Sequence, residues 1–291
     1  MRIWLVFVAV GMLVLLGCGG TTKIAYISTG DAIYVMDADG TNQTRVTTDK
    51  DLASVPCWSN DNKRLAFLSG RDSQWSLVII DIDGSNETVI NLNIIPEVSQ
   101  DNFELLSLMP GCWRPTSDKI FVVVHFDWEV ESEGKIYEVT LKDKVAKFTL
   151  DNATVPVWSP KGDRLVFHRE HIAQIIKTGD KNLLTKDLTE GYCHSWSPDG
   201  DKLVCMAIDR TADEGIIVTM NQDGTEKVDI GVDFVEGTSA AVPNWSPDGN
   251  KILFSKSDGE SCGIYTVNLD GTEETKLLDR EDACIGVYSN P

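Results

Sequence analysis

The side chains best able to do chemistry in this chain are imidazoles, carboxylates and thiols. All four histidines fall between positions 125 and 194, as His125, His168, His171 and His194, with Glu170 beside His171. Three neutral imidazoles and a carboxylate form a ligand set for manganese, zinc or iron, and such an ion would serve a lyase or hydrolase. The plainer reading is that each histidine is a hydrogen-bonded core residue of a strand. Carboxylates gather in irregular segments: Asp127 and Glu129 flank Trp128, Asp209 and Asp233 lie in later segments, and Phe103 stands in an earlier one. Aromatics among carboxylates could anchor a partner, or be a solvated acidic rim with rings tucked against the fold. Six cysteines follow Cys18, an even number that suits disulfides in an oxidising compartment and equally suits small buried core residues. No Cys–His nucleophile pair is proposed, because spacing alone does not supply one.

These residues must be positioned by a repeated element. An aromatic, a tight turn, a cation and an apolar run recur at Trp58, Trp113, Trp158, Trp196 and Trp245, at spacings of 55, 45, 38 and 49 residues. Such periods denote stacked or radially arranged units. Each unit contains four short segments rich in Val, Ile, Phe and Tyr, separated by Gly, Pro, Asn and Asp, as in a β-meander. Pro198-Asp199-Gly200 and Pro247-Asp248-Gly249 suit a tight turn, with Pro fixing the first corner and Gly the positive φ. A second turn reads Asp37-Ala38-Asp39-Gly40, with counterparts at Asp81–Gly84, Asn221–Gly224 and Asn268–Gly271, and Asp-Gly there signals a hairpin. These turns mimic the start of a calcium loop, but no bidentate Glu follows at the required distance. No window predicts an amphipathic helix longer than two turns.

The chain begins in mid-repeat. Tyr288–Pro291 followed by Thr21–Tyr26 reads YSNPTTKIAY, against WSNDNKRLAF from Trp58 to Phe67. The expectation is an all-β fold: a six-bladed β-propeller of four-stranded antiparallel blades, closed by a C-terminal strand completing the N-terminal blade. Closure of this kind removes open sheet edges. Cys57 and Cys112 then precede Trp on adjacent innermost strands, Cys193 and Cys205 flank one hairpin, and Cys262 and Cys284 lie in loops of one face, so these three pairs are disulfide candidates.

Residues 1–17 read as a signal peptide. Arg2 is a basic start, the apolar stretch that follows is short for a membrane span, and Leu15-Leu16-Gly17-Cys18 resembles the bacterial lipobox, in which Cys18 would be lipidated. Residues 18–22 would tether a single propeller over 23–291. After cleavage 25 basic residues face 45 acidic ones, which argues against nucleic acid as a partner and suits a soluble extracytoplasmic surface.

The phrase W-S-P-D-G-x-K/R-[IL]-x-F, followed by I-Y-x-[VM]-[DN]-x-D-G, resembles the propeller repeat of the TolB family across essentially the whole mature chain. Related repeats occur in the tricorn protease and in prolyl-oligopeptidase-type enzymes, whose catalytic half and G-x-S-x-G elbow are missing here. TolB carries an additional α/β domain that this chain has no room for, so the resemblance implies a stand-alone, monomeric propeller that binds proteins or peptides. Oligogalacturonate lyases resemble it in one respect, holding a metal by histidines in a propeller channel. The loops after second and fourth strands share a face and carry the long insertions, which makes that face the candidate site. The primary expectation is a lipid-anchored binding or scaffold module for an envelope protein, peptide or glycan. It would reside at the outer membrane or periplasm of a two-membrane cell, otherwise at the cell surface, and its membrane contact would be the lipid alone. The alternative is a metal-dependent polysaccharide lyase or hydrolase using the four histidines, with a divalent metal as its one cofactor.

Overall fold

The computed structural model describes residues 22–28, 32–47, 56–71, 74–99, 105–108, 112–125, 134–170, 172–177, 186–209, 214–232, 239–257, 262–280 and 283–288. Within these strands, some side chains, including those of Cys193, His194, Asp209 and Cys262, fall outside the description.

Six four-stranded antiparallel blades make a closed propeller. Blade 2 shows the pattern: Cys57–Trp58, Arg64–Arg71, Gln74–Asp81 and Thr88–Asn91, from the axis outward. Blade 1 draws its innermost strand, Ala283–Tyr288, from the end of the chain and its second, Lys23–Ser28, from the beginning. The register across this seam is that of the intact hairpins. Trp58 pairs with Leu65, Trp158 with Leu165, Trp196 with Leu203 and Trp245 with Ile252, while Tyr288 pairs with Ile24.

Two blades depart from the expected outline. In blade 3 the innermost strand is divided: Leu105–Ser107 pairs with the far half of Lys119–His125, and Trp113 bridges Ile120 separately. Six steps separate Ser107 from Trp113 where three separate Val123 from Ile120, so the inserted residues break the ladder. Blades 4 and 5 share one eleven-residue strand, Lys186–Trp196, which closes blade 4 and opens blade 5. It passes between them at Gly191, whose φ of +105° and whose would-be Cβ, 2.2 Å from the Met206 carbonyl oxygen, leave no room for another residue.

Second strands bury both faces, as a sheet packed between two others must. Ile120, Val122 and Val124 face blade 2, whereas Phe121 and Val123 face blade 4. Each Trp packs against the preceding blade: Trp113 with Leu68 and Ile79, Trp158 with Phe121, Trp245 with Val204 and Ile217. Truncation of such a side chain costs on the order of 3–5 kcal/mol. Arg64 lies over the Trp113 ring at 5.3 Å and Arg114 over Trp158 at 4.8 Å, so cations add to the same joints.

Candidate functional site

First-to-second and third-to-fourth turns lie on one face of the disc, because both connections leave from the same ends of antiparallel strands. The Ile82 amide donates to the Lys63 carbonyl at 3.1 Å and the Gln222 amide to the Asp201 carbonyl at 3.0 Å, tying the two turns of a blade together. In the W-S-x-D turns the Ser hydroxyl donates to the Asp two residues on (Ser59 to Asp61, 2.6 Å; Ser246 to Asp248, 2.6 Å) and accepts the amide that restarts the strand (Arg64, 3.0 Å; Lys251, 2.8 Å). In blade 4, where Lys161 replaces the Asp, Ser159 reaches Asp163 at 3.0 Å instead.

In the D-x-D-G turns the second Asp closes its own turn. Asp39 Oδ1 accepts the Thr41 hydroxyl at 2.6 Å and amide at 2.9 Å, and Asp83, Asp223 and Asp270 do the same with Ser85, Thr225 and Thr272. These hydrogen bonds hold all four carboxyls below their usual range. The Gly that follows sits against the backbone of the preceding blade: a Cβ on Gly271 would stand 2.4 Å from the Ile230 carbonyl oxygen, and one on Gly40 would stand 2.6 Å from that of Leu277. The Gly40 contact joins blade 1 to blade 6 at the outer edge of the ring.

The opposite face receives the longer connections, and most of the candidate residues on it lie outside the described set: Phe103, Asp127, Trp128, Glu129, Asp233 and His171, with the side chains of Asp209 and His194. Cys18, Cys284 and the side chain of Cys262 lie outside it as well. What is described there is structural in character. After Thr88–Asn91 the chain forms a short 3-10 turn, Leu92–Ile94, and one helical turn, Pro96–Ser99. Glu97 on that turn reaches across to blade 3, accepting from Lys135 at 2.8 Å and from the Tyr137 hydroxyl at 2.6 Å. Burial opposes ionisation of Glu97, but these donors outweigh it and lower its pKa; burial and the carboxylate raise that of Tyr137. Glu97 thus clasps blade 2 to blade 3.

His125, at the end of its strand, has Nε2 2.8 Å from Ser107 Oγ on the divided inner strand, and burial pushes its pKa down to about 4. His168 is 2% exposed and stands opposite Thr154 and Ala173. Among the described residues no three His, Cys, Asp or Glu side chains are grouped to hold a metal ion. Two hydrogen-bond partners are not legible in the sequence, Ser107 for His125 and Lys135 for Glu97, since neither pair is local in the chain.

The channel wall is joined at residues that precede Trp in several blades. Cys57 and Cys112 form a disulfide between blades 2 and 3, with Cα atoms 6.4 Å apart. Cys205 is also disulfide-bonded, and Cys193 is the residue opposite it in the ladder. Between blades 5 and 6 the Trp245 amide donates to Ser195 Oγ at 3.4 Å.

The sequence profile of the TolB beta propeller domain matches residues 19–284, nearly the whole chain. The chain belongs to the TolB β-propeller family. It is 29% identical over 164 residues to the protein Atu1656 of Agrobacterium fabrum, covering 52% of this chain and 54% of that one. It is 33% identical over 94 residues to the Tol-Pal system protein TolB of Desulfosudis oleivorans, covering 30% of this chain and 22% of TolB. The matches therefore span about half or less of these relatives. The crystal structure of TolB from Acinetobacter baumannii superposes with a TM-score of 0.70 at 14% identity, over 93% of this chain and 67% of that one. At that identity the likeness is one of fold. The TolB-like repeat accounts for the turns, the Trp joints and the seam.

Proposed function

We propose that this TolB-like propeller is a lipid-anchored binding module of the bacterial cell envelope, presenting its long connections to a protein, peptide or glycan. The carrying observation is the unlikeness of the two faces. Hydrogen-bonded turns that touch the preceding blade occupy one, and the long insertions read from the sequence leave from strand ends on the other. The position of the first strand supports a defined orientation. The Thr22 carbonyl accepts the Ala38 amide at 3.1 Å on the tight-turn side. A lipidated Cys18, four residues upstream and within about 14 Å of reach, would hold that side toward the bilayer and turn the long connections outward. One relative is a Tol-Pal system protein, which favours a protein among the three partner classes.

Cross-linking in intact cells followed by capture of the full chain tests this. The expected result is a discrete partner, lost from Trp128→Ala and displaced from the membrane fraction in Cys18→Ala. Capture of nothing, or of the same set from Trp128→Ala, would defeat the assignment. Elemental analysis guards the other side: stoichiometric manganese, zinc or iron, lost on His168→Ala and His194→Ala, would replace the binding module with a metal-dependent enzyme.

A further inference from the structure

The repeat sets a cation at the start of every second strand: Lys23, Arg64, Lys119, Arg164, Lys202 and Lys251. In five blades the residue directly across the ladder accommodates it, as Asp37, Asp81, Thr140, Asn221 or Asn268. Lys23 pairs with Asp37 at 2.5 Å, and Lys119, opposite Thr140, finds Glu138 at 2.6 Å. Blade 4 alone sets a second cation there, Lys177 opposite Arg164. Like charges directly opposed destabilise a sheet, and here they do so in a chain whose net charge is −19.

Both cations line a cleft of about 550 Å³ between blades 4 and 5, on the tight-turn side. That volume is typical of a small-ligand site. Lys186 lines it too, from the strand the two blades share. One Lys186 proton goes to the Asp223 carbonyl at 2.6 Å, which leaves two for a ligand. Arg164 meets Asp163 through one nitrogen at 3.5 Å, leaving most of the guanidinium fork unused. Among the described residues, no carboxylate forms an ion pair with Lys177 or Lys186. The cleft does contain carboxylates, Asp201 and Asp223, but Asp223 Oδ1 is held by Thr225. Ile175, on the same sheet face as Arg164 and Lys177, supplies apolar lining, and Gln222 borders the cleft as well.

We propose that this cleft binds a small ligand bearing one compact oxyanion, a carboxylate or phosphate, joined to a short apolar group. An oxyanion between Arg164, Lys177 and Lys186 converts a repulsive ladder pair into a bridged one, and the apolar group meets Ile175. A polyanion does not fit, since the surrounding turns carry Asp199, Asp201 and Asp223. The site is independent of the long connections on the other face.

Calorimetric titration of the full-length protein with hexyl phosphate, hexanoate and hexanol tests the assignment. Saturable one-to-one binding of either anion, with none for hexanol, is expected, and which anion binds identifies the headgroup. Lys177→Asp should weaken that binding at least tenfold while melting at or above the wild-type temperature, because Arg164 then gains the partner Lys23 has in Asp37. Lys186→Gln should weaken binding with little change in melting, and it serves as the second variant if Lys177→Asp does not fold. Absence of saturable binding by both anions, equal binding of hexanol, or binding unchanged in both variants would overturn the proposal.

Discussion

The channel wall is fastened differently on its two sides. Between blades 2 and 3 the residues before Trp58 and Trp113 are bonded covalently, Cys57 to Cys112. Between blades 5 and 6 the residue before Trp196, Ser195, only accepts an amide hydrogen bond at 3.4 Å. Yet the pairing of Trp with the second strand is the same in both places, Trp58 with Leu65 and Trp245 with Ile252. Backbone register therefore sets the joint, and the side chain at one position sets only its strength. Blade 3 is where the inner strand is divided, and it is also where the covalent joint, the Glu97 clasp and the buried His125 are found. A blade with a broken ladder is held by bonds from outside it.

Breaking the stronger joint should have the largest effect. The Cys57–Cys112 bond closes a loop of sequence separation 55, for which the chain-entropy account gives about 4 kcal/mol. Cys57→Ser with Cys112→Ser should lower the urea midpoint accordingly; an unchanged midpoint would mean that packing alone holds blades 2 and 3 together.

Acid should loosen the same side next. His125 has a folded pKa of about 4 against an ordinary 6.5, so between these values the unfolded chain binds the additional proton. Its contribution to stability is complete above pH 6.5, falls as pH drops toward 4, and amounts to at most about 3 kcal/mol. Unfolding free energies at pH 7 and pH 4 should differ less in His125→Asn than in wild type. Equal differences would place the acid sensitivity elsewhere.

The weaker joint gives the smallest change. Ser195→Ala should cost about 1 kcal/mol or less. Ser195→Cys with Asn244→Cys sharpens the comparison, since these positions correspond to Cys57 and Cys112 in the repeat. A mass decrease of two hydrogens without reductant would show that the two joints share geometry.

The ring, its seam and its turns were legible because each is local: alternation marks strands, and Asp-Gly or Pro-Asp-Gly marks the turn that follows. Even the closure could be read, since Tyr288 and Ile24 keep the offset of Trp58 and Leu65. The divided strand of blade 3 could not, because Cys112-Trp113 looks like every other approach to the turn and only the ladder shows that Ser107 pairs three steps away. Long-range pairs such as Glu97 with Lys135 and His125 with Ser107 leave no periodic trace. The opposition of Arg164 and Lys177 could not be read either, because blade 4 lacks the D-x-D-G turn whose first residue faces the cation in blades 1, 2, 5 and 6. Most of the candidate binding residues, Trp128 among them, stand on connections outside the described set.

The seam across blade 1 makes the position of the chain's ends arbitrary with respect to the ring. Tyr288 and Ile24 already face each other as the two arms of a hairpin do. A Ser-Pro-Asp-Gly linker should join them, and new ends opened at the Ser246–Lys251 turn should yield a circular permutant with the same six sheets. In such a permutant any N-terminal attachment would move from blade 1 to blade 6 while remaining on the same side of the disc.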